Sequence, residues 1–138
     1  MTAPPPFSPT IALLAIGKQW ETAFNDALKP LTLTARKYGL LGHIRSTPGI
    51  SFSELARRSR ITVQSAHTAV ASLAEAGLVS DDTAHAGSAS SLAVTSAGEA
   101  LLGEVAVIVS RLDEELTALH PELVDGLRTS LRRGTGLT

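Results

Sequence analysis

The chain has 138 residues, of which 43% are hydrophobic and 18% charged, a composition that predicts one domain with a single core. Its net charge of -1 gives no general attraction to nucleic acid or to an anionic membrane, so any site for a polyanion must be local. The lack of cysteine excludes disulfides and thiolate metal sites. Because neither a signal peptide nor a long apolar run is present, we expect a cytoplasmic protein without membrane contact.

The N-terminal third of the chain predicts two helices. A proline-rich arm over residues 1–8 is expected to be disordered, and an apolar stripe at three- and four-residue steps then predicts a helix over 9–29. Thr34 is a good cap for a second helix, which ends before the turn at Pro48 and Gly49. We expect Tyr38, Leu41 and Ile44 on its buried face.

The next segment has the pattern of a helix-turn-helix followed by a hairpin. Ser51 and Glu54 have the spacing of a capping box and predict a short third helix, and Thr62 begins a fourth. Apolar segments at 78–79 and 92–95 predict two strands on either side of a loop rich in Gly, Ser and Ala. This arrangement predicts a winged helix-turn-helix.

The C-terminal segment contains an apolar seam at alternating steps of three and four residues, from Leu102 to Leu119. A lone helix would leave this seam in water, so a partner chain or the first helix is expected to cover it. We expect a homodimer. The fold class predicted is mainly α with a small β-wing, dimerising through the N- and C-terminal helices. The predicted organisation is an arm over 1–8, a single domain over 9–133 with dimerisation helices at 9–29 and 96–133 and a winged helix-turn-helix at 34–95, and a tail over 134–138.

Four short segments, taken in chain order, resemble those of a known family. They run from Leu33 to Leu41 (LTARKYGLL), from Pro48 to Ala56 (PGISFSELA), from Leu73 to Val79 (LAEAGLV) and from Val94 to Gly98 (VTSAG). Together they resemble the MarR family of winged-helix regulators over about residues 10–120. The resemblance implies a homodimer that binds palindromic double-stranded DNA and releases it when a small, often aromatic, ligand enters a crevice between the dimer helices and the winged domain.

The charges on the expected DNA-binding surface differ from those that are usual in the family. No lysine or arginine occurs between Arg60 and Arg111, and the outward positions of the fourth helix are uncharged or acidic. Wings of the family usually carry an Asp-x-Arg motif, whereas this chain has Ala86-Gly87-Ser88 at the nearest positions. We therefore assign DNA contacts to three arginines beside the fourth helix and three polar residues on it, namely Arg57, Arg58, Arg60, Gln64, Ser65 and Thr68.

Four side chains on the first two helices are candidates for a ligand pocket for a small aromatic or hydrophobic molecule: Trp20, Phe24, Tyr38 and His43. Each also has a purely structural explanation, because aromatic residues at helical spacing usually pack in a core or interface and a single histidine is commonly structural. No two histidines have the spacing of a helical metal pair, and no phosphate loop, dinucleotide motif or nucleophile elbow occurs. The sequence thus predicts no metal, no cofactor and no assigned catalytic residue.

Three functions from different classes fit these observations. The first is a ligand-responsive transcriptional regulator that binds DNA as a homodimer. The second, suggested by the shortage of cations, is a winged-helix dimer that has lost DNA binding and binds or transforms a small molecule, with His43 or Tyr38 as proton donor or acceptor. The third is an interaction module that pairs with another winged-helix protein and lowers its affinity for DNA.

Overall fold

The computed structural model describes residues 2–81 and 91–134, and within them the chain is mainly helical with one small antiparallel sheet. In chain order the elements are α1 (Pro9–Leu28), a 3-10 turn (Lys29–Leu31), α2 (Ala35–Ser46), α3 (Phe52–Ser59), α4 (Val63–Glu75), β1 (Val79–Ser80), β2 (Ala93–Val94), α5 (Ser96–Leu119) and α6 (Pro121–Arg133). The predicted mainly α fold with a small β-wing is confirmed. None of the helices described is both long enough and apolar enough to span a bilayer.

The chain divides into two compact units, of which the first ends at Gly103. Its core is aliphatic, and the largest fully buried side chains come from α1 to α4 and the segment before β2: Leu28, Leu40, Leu41, Ile44, Leu55, Val70, Leu73 and Leu92. The predicted buried face of α2 is correct at Leu41 and Ile44. Tyr38 is only half-buried, and Leu40 is buried in addition.

Local hydrogen bonds define where the helices of this unit begin. Ser8, Thr34, Ser51 and Thr62 precede α1, α2, α3 and α4, and each accepts a hydrogen bond from the backbone N–H three residues later. These bonds satisfy N–H groups that a helix leaves without an internal partner. The positions of the helix starts therefore follow from short-range chemistry.

The wing begins directly after α4. Gly77, with a φ of 77°, turns the chain, and β1 and β2 pair with Val79 opposite Val94. The Thr95 hydroxyl donates to the Gly77 carbonyl over 2.6 Å and accepts from the Gly98 N–H over 3.1 Å, so it joins the wing to the start of α5. The expected Ala86-Gly87-Ser88 loop lies outside the described residues.

The N-terminal helix is tied to α2 by a polar contact and an aromatic contact. The Asn25 side-chain oxygen accepts from the Ala35 N–H over 2.8 Å, and the rings of Phe24 and Tyr38 meet edge-on with centroids 5.5 Å apart. Earlier in α1, Leu13 and Leu14 are each more than 60% exposed. The first half of the predicted apolar stripe is thus uncovered in a single chain.

The second unit starts at Glu104 and contains the remainder of α5 together with α6. Along the predicted seam, Val109, Leu112 and Leu116 are half-buried, and Leu119 is 65% exposed. Val107, beside the seam, is exposed to a similar extent. This unit therefore also presents apolar surface.

Candidate nucleic-acid interface

The outward face of α4 forms one wall of an open groove of about 550 Å3, and the first turn of α2 forms the other. The groove is lined by Thr34, Arg36, Lys37, Thr62, Gln64, Ser65, Thr68, Ala69 and Ser72. The three polar residues that the sequence assigned to α4 as DNA contacts all lie in this groove. The structure therefore brings Gln64, Ser65 and Thr68 together on one accessible surface.

Internal hydrogen bonds decide what these three polar side chains can offer to a ligand. The Thr62 hydroxyl donates to Ser65 Oγ over 2.8 Å, which leaves the Ser65 proton available to an outside acceptor. The Thr68 hydroxyl donates to the Gln64 carbonyl over 3.1 Å and keeps its acceptor lone pairs. The exposed Gln64 amide carries both donors and acceptors. The face thus presents both donors and acceptors to base edges, and donors to phosphate oxygens.

The cations of the groove are Arg36 and Lys37, which our sequence assignment missed. They follow the Thr34 cap in the first turn of α2, where the helix dipole adds a positive partial charge. Lys37 is half-buried, and its ammonium donates to Ser72 Oγ on α4 over 3.0 Å. This contact across the groove places the positive charge of Lys37 beside α4, a helix that contains no lysine or arginine.

Two of the three arginines assigned to phosphate contacts are engaged by a carboxylate on their own helix. The Nε atoms of Arg57 and Arg58 each lie 2.9 Å from an oxygen of Glu54, and Arg58 also donates to Thr47 Oγ1. These hydrogen bonds hold the pKa of Glu54 well below its usual range, at about 2. A lowered pKa in the folded chain means that the ionised carboxylate stabilises the fold. This contribution is present at neutral pH and is lost progressively as the pH falls from the ordinary pKa of a glutamate, 4.5, to about 2.

The Glu54 interaction also departs from the capping box predicted for α3. Ser51 Oγ accepts from the Glu54 N–H over 3.1 Å, as predicted, but the Glu54 side chain bonds to Arg57 and Arg58. A carboxylate interacts more strongly with two guanidinium groups than with one neutral N–H group. The positive charge of the Arg57 and Arg58 pair is therefore partly neutralised.

Arg60, the third arginine, lies in the turn that joins α3 to α4. Its φ is 54°, in the left-handed region, and its N–H caps the end of α3 by donating to the Arg57 carbonyl.

An aromatic stack also connects α3 to α4. The exposed His67 ring stacks on Phe52 with centroids 3.8 Å apart. This stack joins α3 to α4, so the two helices of the helix-turn-helix hold each other in place.

The four residues predicted to line a ligand pocket are distributed over α1 and α2. Phe24 and Tyr38 contact each other, and Trp20 and His43 are half-buried. A separate, partly enclosed cavity of about 220 Å3 lies beneath the first turn of α2, and its lining includes none of the four. It is lined by Leu31, Thr32, Leu33, Lys37, Ser72, Leu73, Ala76, Leu78 and Leu101.

The described residues contain no group of three or more His, Asp or Glu side chains that is arranged to hold a metal ion.

The helix-turn-helix of this chain and the segments beside it are similar to those of known proteins. A family model described as MarR family matches residues 31–86, the segment that contains α2, α3, α4 and β1. The match confirms over this segment the resemblance to the MarR family that was inferred from the sequence. That family consists of transcriptional regulators, and the chain has the winged-helix fold of its members.

Proteins similar to this chain include a transcriptional repressor. The HTH-type transcriptional repressor Rv2887 of Mycobacterium tuberculosis is 29% identical over 107 residues, which cover 77% of each protein. Among solved structures, Rv2887 in complex with DNA has a TM-score of 0.77 at 25% identity, covering 94% of this chain and 99% of that one. Rv2887 in complex with salicylic acid has a TM-score of 0.73 at 26% identity, covering 94% and 98%.

Proposed function

We propose that this protein is a ligand-responsive transcriptional regulator of the MarR family that acts in the cytoplasm and binds double-stranded DNA as a homodimer. The observation that supports it most is the groove in which Arg36 and Lys37 face the polar side of α4. Cations that neutralise phosphates beside amide and hydroxyl groups that recognise bases are the two components of a DNA-binding surface. The relative Rv2887 has been solved with DNA, in agreement with this proposal.

The homodimer is supported by apolar surface that a single chain leaves in water. Ile11, Leu13 and Leu14 of α1 are exposed, and in the second unit Val107 and Leu119 are exposed. Several exposed apolar side chains on one helix usually mark a protein interface. A symmetric dimer would present two copies of α4 to two half-sites, as helix-turn-helix dimers do.

Each predicted DNA contact keeps a distinct role in this proposal. Gln64, Ser65 and Thr68 are assigned to bases or phosphates along α4. Arg36 and Lys37 are assigned to phosphates, and Arg57, Arg58 and Arg60 provide a second, weaker group because Glu54 neutralises part of its charge. The DNA surface therefore depends on few free cations.

The ligand is proposed to be a small aromatic or hydrophobic molecule. Salicylic acid, bound by the relative Rv2887, is of this kind. Trp20, Phe24, Tyr38 and His43 remain our predicted lining on α1 and α2. The cavity beneath the first turn of α2 is a second place with apolar walls.

The proposal is tested with DNA fragments from the neighbourhood of the protein's own gene. We expect a specific fragment to bind at sub-micromolar protein, with an affinity that falls steeply as the salt concentration rises. The slope of log affinity against log salt counts the phosphates neutralised. Absence of binding even at low salt would contradict the proposal and favour a winged-helix dimer that binds or transforms a small molecule without DNA.

Glu54→Gln is expected to strengthen DNA binding. The neutral amide no longer holds Arg57 and Arg58 as an ion pair, so both guanidinium groups become available to phosphate. We expect about a tenfold higher affinity at low salt and a steeper dependence on salt. Fluorescence anisotropy with a labelled DNA fragment measures both.

Glu122→Gln is the matched control, because it makes the same change in net charge at an exposed residue in the first turn of α6. If both variants gained affinity equally, general charge and not release of the arginines would explain the effect.

A further inference from the structure

Gln64 lies in the first turn of α4 and lines the groove, with a side chain that is available to a ligand. In helix-turn-helix proteins the N-terminal residues of the corresponding helix contact the edges of the bases. Gln64 is exposed, and its side-chain amide makes no hydrogen bond with any other residue that the structure describes. The amide therefore offers two N–H donors and a carbonyl acceptor to a base.

Two contacts fix the position of the helix turn that carries Gln64. The Thr62 hydroxyl accepts from the Ser65 N–H over 3.0 Å at the start of α4, and the rings of Phe52 and His67 stack between α3 and α4. A side chain that recognises a base needs such support, because ordering a mobile backbone on binding would cost conformational entropy. The backbone at Gln64 is thus held in place before DNA binds.

The chemistry of α4 around Gln64 limits which base this surface recognises. The Thr68 hydroxyl, one helical turn further on, donates to the main-chain carbonyl of Gln64, so only its lone pairs remain for an outside partner. In the major groove, the donors that such lone pairs accept from are the amino groups of adenine and cytosine. α4 contains no lysine or arginine, the residues that most often recognise guanine through O6 and N7. This side of α4 therefore suits a base with an amino group.

We propose that Gln64 recognises an adenine in each half-site of the DNA and is the residue that determines which sequences this protein binds. The amide oxygen accepts from adenine N6, and the amide nitrogen donates to adenine N7, a combination that no other base offers in the major groove. Arg36 and Lys37 contribute affinity without sequence preference, because phosphates are the same at every position. This inference rests on the proposed DNA-binding function and adds its sequence specificity.

The test selects bound sequences from a library of random DNA duplexes with the wild type, Gln64→Ala and Gln64→Arg. We expect the wild-type motif to contain an adenine at equivalent positions of its two half-sites. Gln64→Ala should lose the preference at that position alone. Gln64→Arg should replace the adenine with guanine, the base to which arginine makes two hydrogen bonds. If all three proteins select the same bases at every position, the inference is overturned.

Chemically altered DNA tests the same contact with the wild-type protein, so the result does not depend on the folding of a variant. A 7-deazaadenine at the selected position removes the N7 acceptor and keeps the Watson–Crick pair. We expect this change to weaken wild-type binding about fivefold for each half-site, and to leave the affinity of Gln64→Ala unchanged. No loss for the wild type, or an equal loss for both proteins, would overturn the inference.

Arg36→Gln is the matched control, since Arg36 lines the same groove but is assigned to a phosphate. It should weaken binding to all sequences equally and select the wild-type motif. Its slope of log affinity against log salt should fall by about 2, one for each protomer. If the wild type binds no duplex of the library at low salt, the proposed function fails and the inference fails with it. DNA binding with a motif that does not depend on residue 64 overturns the inference alone.

Discussion

Gly98→Ala is expected to lower the free energy of unfolding by about 2–3 kcal/mol, because its methyl group has no room. Gly98 is buried in the first turn of α5, and a Cβ atom there would overlap the Leu78 carbonyl oxygen and Val94 Cγ1. The Leu78 carbonyl cannot move away freely, since it accepts the Thr95 N–H over 3.0 Å at the base of the wing. Urea unfolding followed by circular dichroism measures the loss.

Gly103→Ala is the control for this prediction. It lies in the same helix, and a Cβ atom there meets nothing within 4 Å. Alanine is a better helix former than glycine, so this variant should gain about 0.5–1 kcal/mol. If the two Gly→Ala changes in this helix altered the free energy of unfolding in opposite directions, the close contacts at Gly98 would explain the loss. If the two variants had equal stability, that explanation would be wrong.

The double variant Arg36→Gln and Lys37→Gln is expected to lower the affinity for specific DNA roughly a hundredfold at low salt, since four cations are lost per dimer. The slope of log affinity against log salt should fall by about 4, one unit for each lost phosphate contact. Both residues are at the surface of the groove, so we expect the fold to persist. Anisotropy titrations at several salt concentrations measure affinity and slope together.

Arg132→Gln with Arg133→Gln is the matched control, because it removes the same charge from the last turn of α6. If phosphate contacts determine binding, and not the overall electrostatic field of the protein, this variant should change the affinity for DNA little. Its slope of log affinity against log salt should stay within about one unit of the wild-type slope. An equal loss in both double variants would contradict the assignment of Arg36 and Lys37.

The sequence alone was sufficient for the order of helices and the wing, and the reason is that these depend on short-range interactions. The caps at Thr34, Ser51 and Thr62 each bond to an N–H three residues later, and the alternation of polar and apolar residues identified the outward face of α4. Gln64, Ser65 and Thr68 were found for the same reason. Their role in DNA binding is still a prediction.

Glu54 shows why local spacing is sometimes insufficient. A glutamate three residues after a serine cap suits a capping box, but the same carboxylate also reaches residues three and four positions further along the helix. Arg57 and Arg58 occupy those positions, and ion pairing determines the outcome. The sequence contained both possibilities, and the relative strength of the interactions selected one.

Only the tertiary structure determined which cations lie beside α4. Lys37 and Ser72 are 35 residues apart in the chain, and their contact depends on how α2 and α4 pack around a shared aliphatic core. No periodicity within one helix specifies the crossing of two helices, because that crossing is set by side chains interlocking across the interface. The sequence therefore determined the polar face of α4, and the packing of α2 against α4 supplied its positive charge.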